Sequence, residues 1–460
     1  MEMERVPGSV LPRPLIAALA GCAVLGGALM LLPPDRPSSA PAPAPGPAAR
    51  AELAVSAGVP AALPDLAALI GDREAYVRTH PRDGQAWAQL GSAYVERGRR
   101  TADAADFPRA ERALRTSMRA RPGQNAEALG GLAALANARR DFPAARKWGE
   151  AALRQAPKRW TSYPALLDAY TGLGDYKAAR HTLERLQGLR SGTGVPAVMA
   201  RAAGVYRDEG RREDAQAALA DAAARAATPA EQAERLRQGG ELAWERGEPA
   251  DALRHFDSAR RLDPELWAAR AGQGRALAAL GRTEESVSAY RAALANQPSP
   301  QYALELGELY ESLGRSEEAR VAYGVLRARV EKERAGGVDG ELLLGRFEAD
   351  HGDARSAVRR LQAEWARQPG LDVADALGWA LHRAGRSEEA LGWARRATDK
   401  EHGGEVRSAL YAYHRGMIER QLGLTGPARR HLEEALRISP YFSPLAVPAA
   451  KEALGTLGEP

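Results

Sequence analysis

Pairs of small residues twelve positions apart recur along this chain and constrain its fold more than any other feature. The pairs are Ala133/Ala145, Ala203/Ala215, Gly240/Ala252, Gly274/Ser286, Gly307/Ala319, Gly345/Ala357, Gly378/Ala390 and Gly416/Ala428. Successive units are spaced by 33 to 38 residues. A period in this range is typical of a repeat array in which each unit packs only on its neighbours. The sequence therefore predicts a stack of helical hairpins.

Glycines and prolines mark the ends of the predicted helices. Seven of the eight pairs have a glycine five positions before the second member, where we expect a left-handed turn between the two helices. A further unit adds Gly174, five residues before Ala179. The predicted turn glycines are Gly174, Gly210, Gly247, Gly281, Gly314, Gly352, Gly385 and Gly423. A proline twelve residues after the second small residue ends the second helix in six units, at Pro122, Pro157, Pro264, Pro298, Pro369 and Pro440. These marks predict about ten hairpins over residues 83–440.

Two units carry a recognisable consensus. The residues that carry it are Trp87, Leu90, Gly91 and Tyr94, which match W-x2-L-G-x2-Y, and Ala252, Phe256 and Pro264, which match A-x3-F and the terminal proline. The chain resembles the tetratricopeptide-repeat family, in the form of a bacterial, membrane-anchored protein. The resemblance implies an all-α fold, a right-handed α–α superhelical solenoid that binds proteins or peptides and lacks enzymatic activity.

Composition argues against several function classes. The net charge of +5 is spread through a chain that is 27% charged, with no run of five like charges, so nucleic-acid binding is not indicated. The single cysteine, Cys22, excludes an intrachain disulfide and a cysteine-based zinc site. The histidines form no ligand pair, and no residue is proposed as catalytic. We expect no cofactor, no metal and no small-molecule substrate.

The N-terminal region carries a membrane signal. Residues 15–32 contain no charge and would span about 27 Å as a helix, which is close to the thickness of a bilayer core. The sequence predicts one transmembrane anchor there, after a tail over 1–14. Arg5 and Arg13 precede it, but Glu2 and Glu4 offset them and Arg36 follows, so the orientation stays open.

A second interpretation of the same segment is lipidation. Residues 19–22, Leu-Ala-Gly-Cys, resemble the bacterial lipobox, in which Cys22 would become the lipidated N-terminus. The apolar stretch before the cysteine is short and mostly apolar residues follow it, which favours a retained anchor. Both interpretations keep the protein on a membrane.

Caps and a linker flank the predicted repeats. Residues 33–64 are rich in Pro and Ala and predict an extended, semi-rigid linker. Residues 65–82 predict an N-terminal capping helix, and 441–460 a C-terminal capping segment. Terminal caps are expected where a stacked core would otherwise be exposed.

The first helix of each hairpin is expected to line a concave face, where the family binds its ligands. The resemblance places the contacting side chains one and four positions after the first small residue. The projected residues are Asp168, Arg207, Glu241, Trp244, Arg275, Glu308, Arg346, Trp379, His382 and Met417. Trp379 and Trp244 are the preferred anchors, because aromatic side chains dominate many interfaces.

The sequence thus predicts a membrane-tethered scaffold that binds a peptide or partner protein on the concave face. The expected location is the bacterial cytoplasmic membrane, with a single span and the solenoid outside the cytoplasm. The alternative is a lipoprotein or accessory subunit that positions an envelope enzyme or transporter.

Overall fold

The computed structural model describes residues 45–189, 195–400 and 405–457. The predicted tail over 1–14, the predicted span over 15–32 and Cys22 lie outside these residues. Within the described ranges, every regular element is helical, and no helix has both the length and the apolar character needed to cross a bilayer. The described helices belong to one compact unit, Pro47–Pro460.

Ten antiparallel helix pairs follow one another along this described unit; the first helix of each is called helix A and the second helix B. Hairpins 1 to 5 pair Gly84–Thr101 with Asp106–Ala120, Ala126–Ala138 with Phe142–Gln155, Tyr163–Gly172 with Tyr176–Gly188, Val195–Asp208 with Arg212–Ala224, and Pro229–Glu245 with Pro249–Leu262. Hairpins 6 to 10 pair Trp267–Ala279 with Thr283–Asn296, Pro300–Ser312 with Ser316–Ala335, Glu341–His351 with Ala354–Arg367, Leu371–Arg383 with Ser387–Thr398, and Ala409–Gln421 with Thr425–Ile438.

Three further helices flank the hairpins. Leu63–Thr79 packs on helix A of hairpin 1, and Ala446–Thr456 packs on the last hairpin. A third helix, Pro47–Ser56, lies inside the region predicted as linker. The prediction of an extended linker over all of 33–64 is therefore wrong for its second half, where Ala51 and Ala54 are buried against the first helices.

In several hairpins, the small residue of helix A leaves room for a large side chain of helix B. A Cβ atom built on Gly240 would lie 2.6 Å from the Cε1 atom of Phe256. Gly274 faces Tyr290 in the same way, at 2.8 Å from its Cδ2 atom. Such distances are too short for a real Cβ, so these positions need glycine for the rings to insert. The second small residues, such as Ala252, are themselves buried.

The turn glycines mostly adopt the expected conformation. Seven of the eight have positive φ values between 69° and 79°. Gly352 is the exception, because its φ is −149°, so the left-handed turn predicted there is wrong. In hairpins 1 and 2 the left-handed residues are Ala102 and Arg140, which the glycine pattern could not indicate.

The chain also makes contacts that no neighbouring hairpin provides. The turn of each of hairpins 1 to 5 meets the loop that follows the hairpin five places later. Gln297 donates to the carbonyl of Arg100, 197 residues away, at 3.0 Å. Arg139 donates to the carbonyl of Gly336 at 2.9 Å, again 197 residues away. Successive turns of the superhelix are therefore in contact.

The next three hairpins continue the same contact, which we call the seam. A Cβ on Gly174 would lie 3.2 Å from the carbonyl oxygen of Pro369, and one on Gly247 would lie 2.9 Å from the Cα of Ser439. Between them, Arg212 donates to the carbonyl of Arg407, 195 residues away. The expectation that each unit packs only on its neighbours is therefore wrong.

Candidate functional site

The A helices line the inner surface of the superhelix, and their charged side chains form a ladder there. Arg237 Nη1 lies 3.5 Å from a Glu241 oxygen, and Glu241 pairs with Arg275 at 2.6 Å. Arg275 also binds Glu305 at 2.9 Å and lies over the ring of Trp244, 5.9 Å from its centroid. Three of the projected residues, Glu241, Trp244 and Arg275, are thus brought together. Acidic and basic side chains of three consecutive hairpins therefore form ion pairs with one another.

A second group of projected residues lies on hairpins 3 to 5. Asp168 is exposed and lies 3.3 Å from the Nε atom of Arg201 on the next hairpin. Arg207 binds Asp208 at 2.7 Å and lies 3.6 Å from Glu245. A cavity of about 550 Å³ runs between these side chains, and Asp168, Arg207 and Glu241 all line it.

Hairpins 1 to 4 enclose a neighbouring cavity of about 330 Å³. Its wall combines carboxylates, guanidinium groups and small residues. The polar residues of this wall are Ser56, Gln89, Ser92, Glu96, Arg99, Glu127, Asn137, Arg159, Thr161, Ser162, Asp168 and Arg201. We call this space the inner cavity. The first hairpin contributes Glu96 and Arg99 to it, and the fourth contributes Arg201.

Two buried polar atoms at the inner cavity lack a hydrogen-bond partner. They are Oδ1 of Asn137 and Nε of Arg201. The amide nitrogen of Asn137 donates to the carbonyl of Ala165 at 2.7 Å, which fixes its orientation. The Nε atom of Arg201 still lies 3.3 Å from a carboxylate oxygen of Asp168, whereas Asn137 Oδ1 has no donor. Buried polar groups in proteins are nearly always hydrogen-bonded, so this acceptor points to a binding function.

Charges of hairpins 1 and 5 meet at this surface. Burial raises the pKa of Glu96, and the charges of Arg99, Arg100, Arg201 and Glu234 also act on it. Glu234 belongs to hairpin 5. Burial alone would raise the pKa of Glu234, but the guanidinium groups of Arg237, Arg235 and Arg99 lower it to about 2. Helices A of hairpins 1 and 5 are therefore close enough to share one electrostatic environment.

A third cavity, of about 440 Å³, lies between successive turns of the superhelix. Arg207 and Trp244 line it from one turn, and Arg346 lines it from the next. Arg346 binds Asp372 at 2.6 Å, and Tyr411 donates to the same carboxylate at 2.7 Å. Burial opposes ionisation of Asp372, but the Arg346 charge and these hydrogen bonds lower its pKa to about 2.

Trp379 does not serve as an accessible anchor. Its side chain is only 7% exposed and stacks on His414, with ring centroids 4.3 Å apart. Its Nε1 donates to Asp350 at 2.9 Å. The next hairpin covers its ring, so the expectation of an exposed anchor is not met, and ligand binding by Trp379 stays a prediction.

The remaining projected residues lie on hairpins 7 to 10, away from the three cavities. His382 is half-buried, and its Nδ1 lies 3.0 Å from the hydroxyl of Ser387. Met417 is half-buried and packs on the core of the last hairpins. Glu308 lies 3.8 Å from Nε2 of His351. These residues form no common site with the others.

The tetratricopeptide-repeat model matches the chain over residues 97–159, 237–299 and 272–328. These segments of the chain are tetratricopeptide repeats. The matched segments fall on hairpins 1 and 2 and on hairpins 5 to 7, which have the pairing described above. Repeats of this type generally act as scaffolds for protein–protein interaction, and the match indicates no catalytic family.

One curated relative is the TPR repeat-containing thioredoxin TTL4 of Arabidopsis thaliana, which is 37% identical over 99 residues. The match covers 21% of this chain and only 14% of that protein. It therefore concerns the repeats and not the activity of the whole relative.

Solved structures of similar architecture include the human IFIT1 dimer with m7Gppp-AAAA, at 17% identity and a TM-score of 0.46, covering 68% of this chain and 71% of that one. The APC/C heterotetramer Cut9-Hcn1 has 14% identity and a TM-score of 0.39, covering 81% and 76%. These likenesses support no conclusion about ligands or partners.

The tetratricopeptide register also explains which residues the sequence interpretation missed. Asn137 stands four positions after Ala133, the same offset that selected Arg207 and Trp244. Arg201 stands two positions before Ala203, an offset that the projection did not include. A search of both offsets would have found the inner cavity. Within the described ranges, no cluster of three or more His, Cys, Asp or Glu could hold a metal ion.

Proposed function

We propose that this protein is a membrane-tethered scaffold that binds an extended peptide segment of a partner protein on the concave surface of hairpins 1 to 5, without enzymatic activity. The observation that supports this function most strongly is the inner cavity, where Asn137 Oδ1 lacks a hydrogen-bond partner and the Arg201 guanidinium, which pairs with Asp168, lines the same space. The backbone of an extended peptide offers N–H donors to Asn137 Oδ1 and C=O acceptors to Arg201.

The charges of the inner cavity favour a particular kind of peptide. Three carboxylates and three guanidinium groups surround the same space, namely Glu96, Glu127 and Asp168 with Arg99, Arg159 and Arg201. A segment with side chains of both signs would satisfy more of these groups than a polyanion or a polycation. Electrostatic complementarity of this kind contributes to specificity and to the rate of association.

Site-specific photo-crosslinking tests the binding surface. Gly130 lines the inner cavity, and a Cβ placed there meets no heavy atom within 4 Å, so this position is chosen for a benzophenone amino acid. In cells, Gly130 labelling is expected to yield partner adducts that Arg201→Glu removes. The same label at Val321, on the outer face of hairpin 7, is the matched control. Adducts from Val321 alone would contradict the proposal.

The proposed tether rests on the uncharged segment over 15–32. We propose a single span in a bacterial cytoplasmic membrane, with the repeats outside the cytoplasm. A cysteine introduced within residues 33–44 of a Cys22→Ser chain is expected to react with an impermeant maleimide in intact cells. Reaction only after lysis would show that the repeats lie on the cytoplasmic side of the membrane.

The alternative is a lipoprotein or accessory subunit that positions an envelope enzyme or transporter. The lipobox-like residues that end at Cys22 favour it. Mass spectrometry of the N-terminal peptide separates the two functions. A diacylglyceryl group on Cys22 supports the alternative, and an intact unmodified N-terminus supports the retained anchor.

A further inference from the structure

The three cavities of the superhelix share walls. We call the cavity of about 550 Å³ the middle cavity, and the cavity of about 440 Å³ between successive superhelical turns the inter-turn cavity. Asp168 and Arg201 line both the inner and the middle cavity. Arg207, Asp208 and Glu245 line both the middle and the inter-turn cavity. The three spaces therefore adjoin in series, from the concave surface to the gap between superhelical turns.

Phe142 stands where the three cavities meet, because it lines all of them. Its ring lies against Gly172, where a Cβ would be 2.5 Å from the Cδ1 atom of Phe142. The backbone N–H of Phe142 donates to Oε1 of Gln368 at 3.3 Å, and Gln368 follows helix B of hairpin 8. A residue of hairpin 2 is thus fixed between hairpin 3 and the next superhelical turn. The path from the inner cavity to the inter-turn cavity passes this ring.

The inter-turn cavity offers guanidinium groups with unused donors. The Nε atom of Arg346 is buried and has no hydrogen-bond partner, although its Nη2 atom donates to Asp372 at 2.6 Å. Arg140 and Arg407 are exposed at the same cavity, and within the described ranges neither side chain forms a hydrogen bond or an ion pair. These cations come from hairpin 8, from the turn of hairpin 2 and from the loop before hairpin 10.

The carboxylates of the inter-turn cavity are already paired. Each of the five lies within 4.0 Å of a guanidinium group, and the pairs are Asp372 with Arg346, Asp208 and Glu245 with Arg207, and Asp339 and Glu364 with Arg367. With Arg140 and Arg407, five guanidinium groups face five carboxylates, so the cavity carries no excess negative charge. The unused capacity of its charged groups consists of donors. A group that binds them must accept hydrogen bonds.

We propose that the peptide bound on the concave surface continues past Phe142 into the inter-turn cavity and places an acidic side chain on its three guanidinium groups with unused donors. This inference rests on the proposed peptide-binding function and adds the path and the composition of the peptide. Guanidinium groups bind carboxylates through paired N–H···O bonds, which are stronger than bonds between neutral groups. The peptide therefore carries an Asp or a Glu at a fixed distance from the residues that occupy the inner cavity.

Selection from a random peptide library tests this composition with a defined probe. Peptides displayed on phage are selected on the full chain in lipid nanodiscs, and the bound peptides are expected to share one acidic position. Changing Arg140→Met and Arg407→Met together is expected to weaken binding of a selected peptide about tenfold or more. Both side chains are exposed and unpaired in the described ranges, so the double change leaves the fold intact.

A cycle of changes on both sides isolates the contact. Replacing the acidic residue of a selected peptide by its amide is expected to weaken binding to the wild-type chain by the same factor, and to leave binding to the double variant unchanged. Arg112→Met is the matched control, since Arg112 is exposed and unpaired in the described ranges but lies on helix B of hairpin 1, outside the three cavities. It is expected to bind both peptides as wild type does.

The outcomes separate this inference from the function on which it rests. Selected peptides without a shared acidic position, or equal binding by the wild-type chain and the double variant, would overturn the inference and leave a concave peptide site standing. A library that yields no binding peptide would count against both.

Photo-crosslinking in cells tests the path of the peptide. Thr171 lines the middle and the inter-turn cavity, so a benzophenone amino acid there is expected to give adducts with the same partner as the label at Gly130. Adducts from Gly130 without adducts from Thr171 would show that the partner ends before the inter-turn cavity, which contradicts the inference and not the proposed function.

Discussion

Arg100 forms a buried ion pair with Asp263, 163 residues later in the chain. The two side chains are only 7% and 8% exposed, although one ends helix A of hairpin 1 and the other follows hairpin 5. Together with the hydrogen bond from Gln297 to the Arg100 carbonyl, this pair fixes the start of the seam. The seam gives a repeat array contacts of high sequence separation, which such arrays otherwise lack.

Arg100→Met is expected to lower the free energy of unfolding by about 3 to 5 kcal/mol, because it leaves the Asp263 carboxylate buried without its partner. Urea denaturation of the full chain measures the change. The control is Arg320→Met, since Arg320 pairs with Glu317 at side chains that are 70% and 78% exposed. An exposed pair of this kind contributes less than about 1 kcal/mol. Equal losses would mean that Arg100 stabilises nothing beyond its own hairpin.

Two glycines at the same repeat position allow the stability contribution of the seam to be measured apart from that of the turn conformation. Gly247 and Gly281 have nearly equal φ values, 77° and 75°, so alanine pays the same conformational cost of about 1 to 2 kcal/mol at both. At Gly247 the new Cβ would also press on the backbone of Ser439 and Ile438, whereas at Gly281 it meets open space. We expect Gly247→Ala to cost about 1 to 3 kcal/mol more than Gly281→Ala. Equal thermal shifts would contradict the seam.

The register within a hairpin makes a separate prediction. Ala319 is buried where helix B of hairpin 7 approaches helix A, so Ala319→Leu is expected to overpack the contact and cost about 1 to 3 kcal/mol. Glu317→Leu changes an exposed side chain two residues earlier and is expected to cost little. Thermal unfolding of both variants measures the difference in stability. A larger loss of stability for Glu317→Leu would show that the predicted register of the hairpin is wrong.

The contacts within each hairpin could be predicted because they join residues at short, repeated spacings, such as Gly240 and Phe256. The seam could not, because its geometry depends on the rotation accumulated over five hairpins. Its contacts also follow no repeated pairing of residue types, as Arg139 with Gly336 and Gly174 with Pro369 show. No periodic signal in the sequence marks such pairs.

The candidate site was predicted only in part for a related reason. Offsets along helix A indicate which side chains point inwards, and they found Asp168, Arg207 and Trp244. They do not indicate which inward side chains the next hairpin covers. His414 of hairpin 10 covers Trp379 of hairpin 9, and this depends on the residue that the neighbour happens to carry.

His382 makes a prediction about pH. Burial, together with the positive charges of His414 and Arg383, lowers the pKa of His382 from its usual 6.5 to about 4. The unfolded chain therefore takes up a proton at higher pH than the folded chain does, and stability falls as the pH drops from 6.5 towards 4. His382→Gln is expected to remove this part of the acid dependence of the melting temperature. An unchanged pH profile, or a His382 that titrates near 6.5 by NMR, would contradict it.

Trp379 tests whether an inward aromatic residue stabilises the stack or binds a ligand. Its ring is stacked on His414, and its Nε1 donates to Asp350. Trp379→Ala is expected to lower the free energy of unfolding by about 3 to 5 kcal/mol, since it leaves a cavity at the junction of two hairpins. Trp379→Phe keeps most of the ring and loses the hydrogen bond, so a loss of about 1 kcal/mol is expected. Urea denaturation measures both variants, and Gly130 photo-crosslinking of the Trp379→Phe chain is expected to match wild type. Unchanged stability of Trp379→Ala with loss of the Gly130 adducts would instead restore Trp379 as a ligand anchor.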